Sequence, residues 1–121
     1  RTVDGHQIWE RTLPQEIERV AWTRDGRHVV SVSEDAKMRV FDVSTGEVVF
    51  SFQHDNGIDG LSISHDGRFL ATGQERVRGV GLARVFSVKD WKLVRTIEHP
   101  GTVNGVDFSS DDEHLAVIGD Y

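Results

Sequence analysis

Apolar and polar residues alternate along three short stretches of the chain. The alternating apolar pairs are Val20 and Trp22, Leu61 and Ile63, and Val106 and Phe108. A period of two is the pattern of a β-strand with one buried face, so Trp22 is expected in the core. Turn-forming pairs such as Asp25-Gly26 and Asp66-Gly67 follow these strands, and no window has the period of a long amphipathic helix. The pattern predicts an all-β protein.

The hairpins belong to a longer repeating unit. Five positions of the first unit return 41 residues later and again after a further 45 residues. The three sets are Ile17, Val20, Trp22, Asp25 and Val29; Ile58, Leu61, Ile63, Asp66 and Leu70; and Val103, Val106, Phe108, Asp111 and Leu115. Because "MRVFDV" (38–43) returns as "ARVFSV" (83–88) at the longer offset, the four extra residues lie between Gln74 and Leu82.

Each complete unit is predicted to be a four-stranded antiparallel meander with strands a, b, c and d. The strands are expected at 17–23, 28–33, 38–43 and 47–53, then at 58–64, 69–73, 82–88 and 92–98. The third unit has only strands a and b, at 103–109 and 114–119, and residues 7–13 look like strand d of an earlier unit. One sheet leaves apolar surface wet, and stacking sheets around an axis buries that surface. The predicted fold is a set of β-propeller blades that form an incomplete ring: the end of a blade (1–16), a blade (17–57), a blade with a b–c insertion (58–102) and half a blade (103–121).

Two stretches carry a family signature. "VVSVSEDAKMRVFD" starts at Val29, and "QHDNGIDGLSISHDGRFLATG" starts at Gln53. The order of elements resembles the WD-repeat (WD40) β-propellers, in which a glycine-histidine pair and an alternating strand precede "PDG", "LASGSxD" and "VRVWD". "HPGTVNGVDFSSDD", from His99, is also similar to propellers built on a "YVTN" repeat. The WD-repeat resemblance implies a noncatalytic scaffold that binds other proteins.

The resemblance also implies a hydrogen-bond network inside each blade. In this family a histidine before strand a, a hydroxyl in strand b, an aspartate in the b–c turn and a tryptophan in strand c bond to one another. The residues at these positions are His54 and His99, then Ser31 and Thr72, then Asp35, and finally Phe41 and Phe86 in place of tryptophan. Leu13 stands where the first histidine is expected, and Arg76 and Tyr121 stand where the later aspartates are expected. No repeat has the complete set.

Charge narrows the range of partners. The net charge of −6 argues against general binding to nucleic acid or to anionic membranes. The segment from Arg68 to Arg95 is nevertheless basic, with seven basic residues and two acids. The candidate partner-binding residues are Arg76, Arg78, Arg84 and Trp91, the last expected to be exposed in the c–d turn. The insertion that holds the three arginines is either a lengthened hairpin or a loop that recognises an acidic partner.

The sequence gives no positive sign of catalysis, a cofactor or a metal site. It has no cysteine, and its six histidines form neither a helical pair nor a close cluster. It also lacks a phosphate loop, a serine elbow and an apolar run long enough for a membrane helix. We therefore expect a chain that is not an enzyme, and the compartment stays open. The alternative is a propeller enzyme, or a cofactor-binding propeller, whose site lies in other blades.

Two complete units and parts of two others are too few for a closed ring, which has about four to eight blades. Either the chain is a portion of a longer propeller, or copies assemble, two chains supplying six blade-equivalents. The expected partners are other proteins, together with further blades from the same parent chain or from another copy. A self-assembling minimal propeller is the third interpretation.

Overall fold

A computed structural model describes residues 2–3, 6–7, 10, 12–13 and 16–120 of the chain. Every regular element in this part is a β-strand, which confirms the all-β prediction. The strands are β1 (Thr2–Val3), β2 (His6–Gln7), β3 (Ile17–Trp22), β4 (His28–Ser33), β5 (Lys37–Asp42), β6 (Val48–Gln53), β7 (Ile58–Ile63), β8 (Phe69–Val77), β9 (Val80–Ser87), β10 (Leu93–Pro100), β11 (Thr102–Phe108) and β12 (Leu115–Asp120). No membrane-spanning helix is found in the described ranges. Of the strand predicted at 7–13, residues 8, 9 and 11 lie outside the described ranges, and residues 10, 12 and 13 are not in a strand.

The strands form two four-stranded antiparallel sheets and two smaller pairs. Blade 1 has the order β3-β4-β5-β6, and blade 2 has the order β10-β9-β8-β7. Strands β11 and β12 pair only with each other and form a half-blade, while β1 pairs with β2. The predicted meanders are confirmed, and the sheets do not close into a ring.

The repeat in the sequence is also a repeat in backbone geometry. Pairing of strands a and b shifts register at the same place in every unit. The shifts fall between Ile17 and Arg19, between Ile58 and Gly60, and between Val103 and Gly105. A bulge re-aims the side chains that precede it, so a shared bulge keeps equivalent residues on equivalent faces. Residues at the 41- and 45-residue offsets can therefore be compared directly.

The core lies between the sheets. Blades 1 and 2 enclose a cluster of buried apolar residues: Val30, Val32, Met38, Val40, Ile58, Ile63, Leu70 and Phe86. Blade 2 and the half-blade enclose a second cluster: Ala71, Ala83, Val103, Val106 and Phe108. Burying apolar surface between neighbouring sheets is the main stabilising contribution in such an array, so each blade depends on the next.

Candidate interaction surfaces

The loop before blade 2 holds a buried histidine. His54 lies between β6 and β7, and its Nε2 is 2.9 Å from Oγ1 of Thr72 in β8. Burial, and after it the positive charge of Arg84, lowers the pKa of His54 to about 4. The imidazole is therefore neutral at neutral pH and connects the loop to the sheet.

Arg84 lies in the interior, which corrects its assignment as a surface residue of the insertion. It is only 7% exposed. Its Nη1 donates to Oε1 of Gln74 at 2.6 Å, and its Nη2 donates to Oδ2 of Asp55 at 3.1 Å. Asp55 is in the same loop as His54, so the arginine fixes this loop against strand c. A buried guanidinium with these acceptors is structural and does not face a partner.

Blade 1 builds the equivalent contact from different residues. Arg39, which is 45 residues before Arg84, donates to Oδ2 of Asp35 at 2.8 Å and to Oγ of Ser33 at 2.7 Å. The hydrogen bond from Arg39 lowers the pKa of Asp35 to about 2. Arg76 stands at the position of Asp35 in blade 2, which explains why blade 2 takes its acceptor from the preceding loop.

The other residues of the expected network are placed separately. Ser31 of blade 1 is buried, and its Oγ has no hydrogen-bond partner within the described part. Its expected histidine partner is replaced by Leu13. The imidazole of His99 lies against Gly119, since a Cβ added to this glycine would be 2.7 Å from Nε2 of His99. Val117 stands at the position that Thr72 has in blade 2, so the half-blade has no hydroxyl at this position.

Phe41 and Phe86, at the tryptophan positions of strand c, are both buried. Phe86 meets Phe52 of blade 1 edge to face, with ring centroids 5.1 Å apart. A phenyl ring has no N–H donor, so these positions contribute packing where an indole would also donate a hydrogen bond.

The insertion lengthens the b–c hairpin of blade 2. Strands β8 and β9 shift register after Gln74 and pair again at Val77 and Val80. Arg78 and Gly79 form the turn, with φ of 52° and 83°. Positive φ at both central residues is typical of a tight type I′ turn. We call residues 76–80 the hairpin tip.

Neighbouring loops brace the hairpin tip on both sides. The amide of Asn56 donates to the carbonyl of Arg76 at 3.0 Å, and the N–H of Arg76 donates to Oγ1 of Thr102 at 3.2 Å. The N–H of Gly101 donates to the carbonyl of Gly79 at 2.8 Å. Arg76 and Arg78 are exposed on this fixed support.

Trp91 closes the boundary between the blades, although an exposed position was predicted. It is half-buried, with φ of 59°, and its ring stacks on Phe50 of blade 1 at a centroid distance of 6.2 Å. His28 of blade 1 approaches it edge-on at 6.0 Å. The turn directs the indole back onto blade 1, so Trp91 packs within the chain.

Trp22 was predicted to be core, and this is wrong. Trp22 is 50% exposed and Val20 is 63% exposed, whereas Ile63, the equivalent of Trp22, is only 6% exposed. Blade 1 covers Ile63, but no described residue covers Trp22 and Val20 to the same extent. We call Ile17, Val20 and Trp22 the leading face.

Comparison with known families finds propeller repeats. The model of the family described as "WD domain, G-beta repeat" matches residues 46–76 and 91–120. The model described as "Anaphase-promoting complex subunit 4 WD40 domain" matches residues 1–59. No curated protein matches the chain.

Solved structures match over most of the chain. The chain resembles "Structure of U3-55K" with a TM-score of 0.76, 21% identity, and coverage of 88% of this chain and 34% of that chain. It resembles "Crystal structure of RRP9 WD40 repeats" with a TM-score of 0.74 and 21% identity, over 88% of this chain and 33% of that chain. It resembles the Cps50 (Swd1) β-propeller domain of Myceliophteria thermophila with a TM-score of 0.74 and 20% identity, over 92% of this chain and 35% of that chain. The chain thus spans about a third of these propellers, and identities this low show a shared fold only.

Proposed function

The chain belongs to the WD-repeat family of β-propellers, and from this premise we propose that it is part of a noncatalytic scaffold whose hairpin tip binds an acidic surface of another protein. The WD-repeat fold generally serves as a platform for protein–protein interaction. Fold alone does not identify a partner, so the proposal depends on a surface of this chain. The observation that carries it is the braced, basic hairpin tip.

The hairpin tip combines charge, apolar surface and rigidity. Arg76 and Arg78 have no ion pair among the described residues, so their guanidinium groups are open to carboxylates. Val77 and Val80 between and beside them are 39% and 38% exposed. Arginine is enriched at protein interfaces, and a braced loop loses little conformational entropy when it binds. These properties favour a partner with an acidic, partly apolar surface.

Reversing the charge of the tip tests this proposal. In the double variant Arg76→Glu/Arg78→Glu, capture of the partner should fall at least about tenfold, because attraction becomes repulsion. Proteins captured from an extract by the immobilised wild type and variant would be compared by quantitative mass spectrometry. The matched control is Lys92→Glu/Arg95→Glu, which changes the charge equally in and beside β10. Equal capture by wild type and both variants, with unchanged thermal unfolding, would contradict the role of the tip.

The leading face supports a second partner, a further blade. The equivalents of Ile17 and Trp22 in blade 2, Ile58 and Ile63, are 2% and 6% exposed beneath blade 1, and Leu61, the equivalent of Val20, is partly buried there. A blade from the same parent protein or from another copy would cover Trp22 and Val20 in the same way.

This second proposal predicts self-association of the chain alone. The mass from light scattering should rise with concentration, and Trp22→Glu should lower it towards the monomer, because a charge on this face opposes apolar packing. Val77, 39% exposed at the hairpin tip and away from both open faces of the blade array, offers Val77→Glu as a control of equal chemistry. A wild-type chain that stays monomeric at high concentration would count against a copy as the covering blade.

A further inference from the structure

The a–b turns of the three units differ at one equivalent position. Gly26, Gly67 and Asp112 occupy it, at the 41- and 45-residue offsets. All three have the same left-handed backbone, with φ of 73°, 79° and 61°. The turn geometry is therefore shared, and only the half-blade carries a side chain there.

Asp112 fills the gap between the turns of blade 2 and the half-blade. Its Oδ1 accepts from the N–H of His65 at 2.8 Å, and its Oδ2 accepts from the N–H of Asp66 at 2.7 Å. Nδ1 of His65 is 3.0 Å from the same carboxylate, whose side chain is 8% exposed. The turn of blade 2 thus presents two adjacent N–H groups, and both donate to the carboxylate of Asp112.

In the corresponding gap between blades 1 and 2, Gly67 stands in place of Asp112, so no carboxylate reaches the preceding turn. The side chain of Arg24 crosses this gap instead, and its Nε and Nη2 donate to the carbonyls of Ser64 and Ile63 at 3.1 and 3.0 Å. The equivalent donors are the N–H groups of Arg24 and Asp25, and neither has a hydrogen-bond acceptor in the described ranges. Two cavities open at this place. The smaller cavity, of about 380 Å³, is lined by Arg24, Asp25, Asp66 and Gly67. The larger cavity, of about 450 Å³, is lined by Asp25, Gly67 and three basic side chains. We call the two cavities together the turn pocket.

The turn pocket is basic. Arg27, Arg68 and Lys89 line the larger cavity and Arg24 lines the smaller one, against the two acids Asp25 and Asp66. The carboxylate of Asp25 already accepts hydrogen bonds from Oγ1 of Thr23 at 2.7 Å and from the N–H of Arg27 at 3.0 Å. Arg68 already forms an ion pair with Asp66, with its Nε 2.8 Å from Oδ2. Arg27 and Lys89 have no ion pair among the described residues. The pocket therefore keeps free positive charge.

The turn pocket is separate from the hairpin tip. Strand β8 begins beside the pocket at Phe69 and ends at the tip at Val77. Its nine residues span about 25–30 Å at about 3.3 Å per residue. A ligand in the pocket would leave the tip free, and the two surfaces can be changed independently.

We propose that the turn pocket binds a carboxylate or phosphate group on a segment of another protein, in the place that Asp112 fills at the next blade boundary. The N–H groups of Arg24 and Asp25 would donate to its oxygens, as those of His65 and Asp66 do to Asp112. Guanidinium and ammonium groups at the rim strengthen such hydrogen bonds and select for anions. A protein segment is favoured over nucleic acid as the source, because the net charge of −6 repels a polyanionic backbone.

Binding would be measured with labelled peptides of one sequence whose central residues are phosphoserine, glutamate or serine. Fluorescence anisotropy should show saturable binding of at least one anionic peptide and at least about tenfold weaker binding of the serine peptide. Preference for phosphoserine or glutamate identifies the source of the anion. In the ¹⁵N spectrum, the Arg24 and Asp25 amide signals should shift with the bound peptide.

Gly67→Asp is the most specific variant. Aspartate already adopts this backbone at Asp112, so the new carboxylate should occupy the two N–H groups and exclude the peptide while the fold is kept. A Cβ at Gly67 would lie 3.1 Å from Cβ of Arg24, which needs a shift of only a few tenths of an ångström. Arg27→Glu/Lys89→Glu should weaken binding at least about tenfold, and Lys92→Glu/Arg95→Glu should not.

Unaltered peptide binding by both Gly67→Asp and Arg27→Glu/Lys89→Glu would overturn the proposal. So would the absence of saturable binding of either anionic peptide, or tighter binding of a single-stranded oligonucleotide than of both. The hairpin-tip variant Arg76→Glu/Arg78→Glu should bind the peptides like the wild type. Failure of the turn pocket would therefore leave the proposed role of the tip unaffected, and the reverse also holds.

Discussion

Replacing Phe86 with alanine is expected to lower the free energy of unfolding by about 3–5 kcal/mol, as large-to-small changes do in packed cores. Phe86 is fully buried at the boundary between the two complete blades. Its ring lies 5.1 Å from Phe52, 6.4 Å from Phe50 and 6.4 Å from His54, centroid to centroid. Truncation removes these contacts and leaves a cavity that residues from two rigid sheets cannot refill.

Urea denaturation followed by circular dichroism would measure this effect. Phe86→Leu keeps most of the apolar volume and should cost less than the alanine variant. The surface control Ile118→Ala, at a side chain 66% exposed, should change the free energy by no more than about 0.5 kcal/mol. Equal stability of Phe86→Ala and Ile118→Ala would show that the blade boundary does not stabilise the chain.

The strands were predictable because their two causes are local. Alternation of apolar residues fixes which face is buried, and Asp-Gly pairs mark where the chain turns. Strand b of blade 2 was nevertheless expected to end at Gly73, whereas β8 reaches Val77. The pairing of Val77 with Val80 depends on the turn at Arg78 and Gly79, whose positive φ is not coded by an apolar pattern.

The alternation of residues in strand c could have indicated the interior position of Arg84, but its charge suggested a position at the surface. Arg84 is two residues before Phe86 in one strand, so the period of two places both on the same face. Phe86 is buried, and Arg84 pairs across the sheet with Thr72, which contacts His54. The same alternation applies to Arg39, whose acceptor is in its own turn. Residue spacing could predict the face of Arg84 but not its acceptors, because Asp55 approaches from another loop.

The two tryptophans show the limit of a local pattern. Trp22 and Ile63 occupy equivalent positions, yet one is half exposed and the other buried, because burial depends on the sheet across the boundary. Trp91 was expected at the surface as a turn residue, but its ring reaches Phe50 on the other blade. Contacts between blades are not contained in the pattern of a single strand, and for this reason the candidate surfaces were less predictable than the fold.

Acidification is expected to destabilise the fold through His54. Burial, followed by the charge of Arg84, lowers the pKa of His54 from its ordinary value of 6.5 to about 4. The unfolded chain therefore binds a proton at a higher pH than the folded chain does. The stabilisation of the fold by the neutral imidazole is fully present above about pH 6.5. As the pH falls towards 4 this stabilisation is lost, and the free energy of unfolding decreases by about 3 kcal/mol in total. Asp35 and Asp66, with pKa values lowered to about 2, lose their contributions only below this window.

The free energy of unfolding measured by urea at several pH values would isolate this contribution. Glu75 acts in the opposite direction, since burial and then the charge of Asp59 raise its pKa and it takes up a proton in the folded state. The comparison is therefore with His54→Gln, which should remove most of the loss between about pH 6.5 and pH 4 while Glu75 is unchanged. His114→Gln changes an exposed histidine in the half-blade turn and should keep the wild-type slope. A slope that is the same in wild type and His54→Gln would mean that His54 is charged inside the folded chain, and that its contact with Thr72 does not require the neutral form.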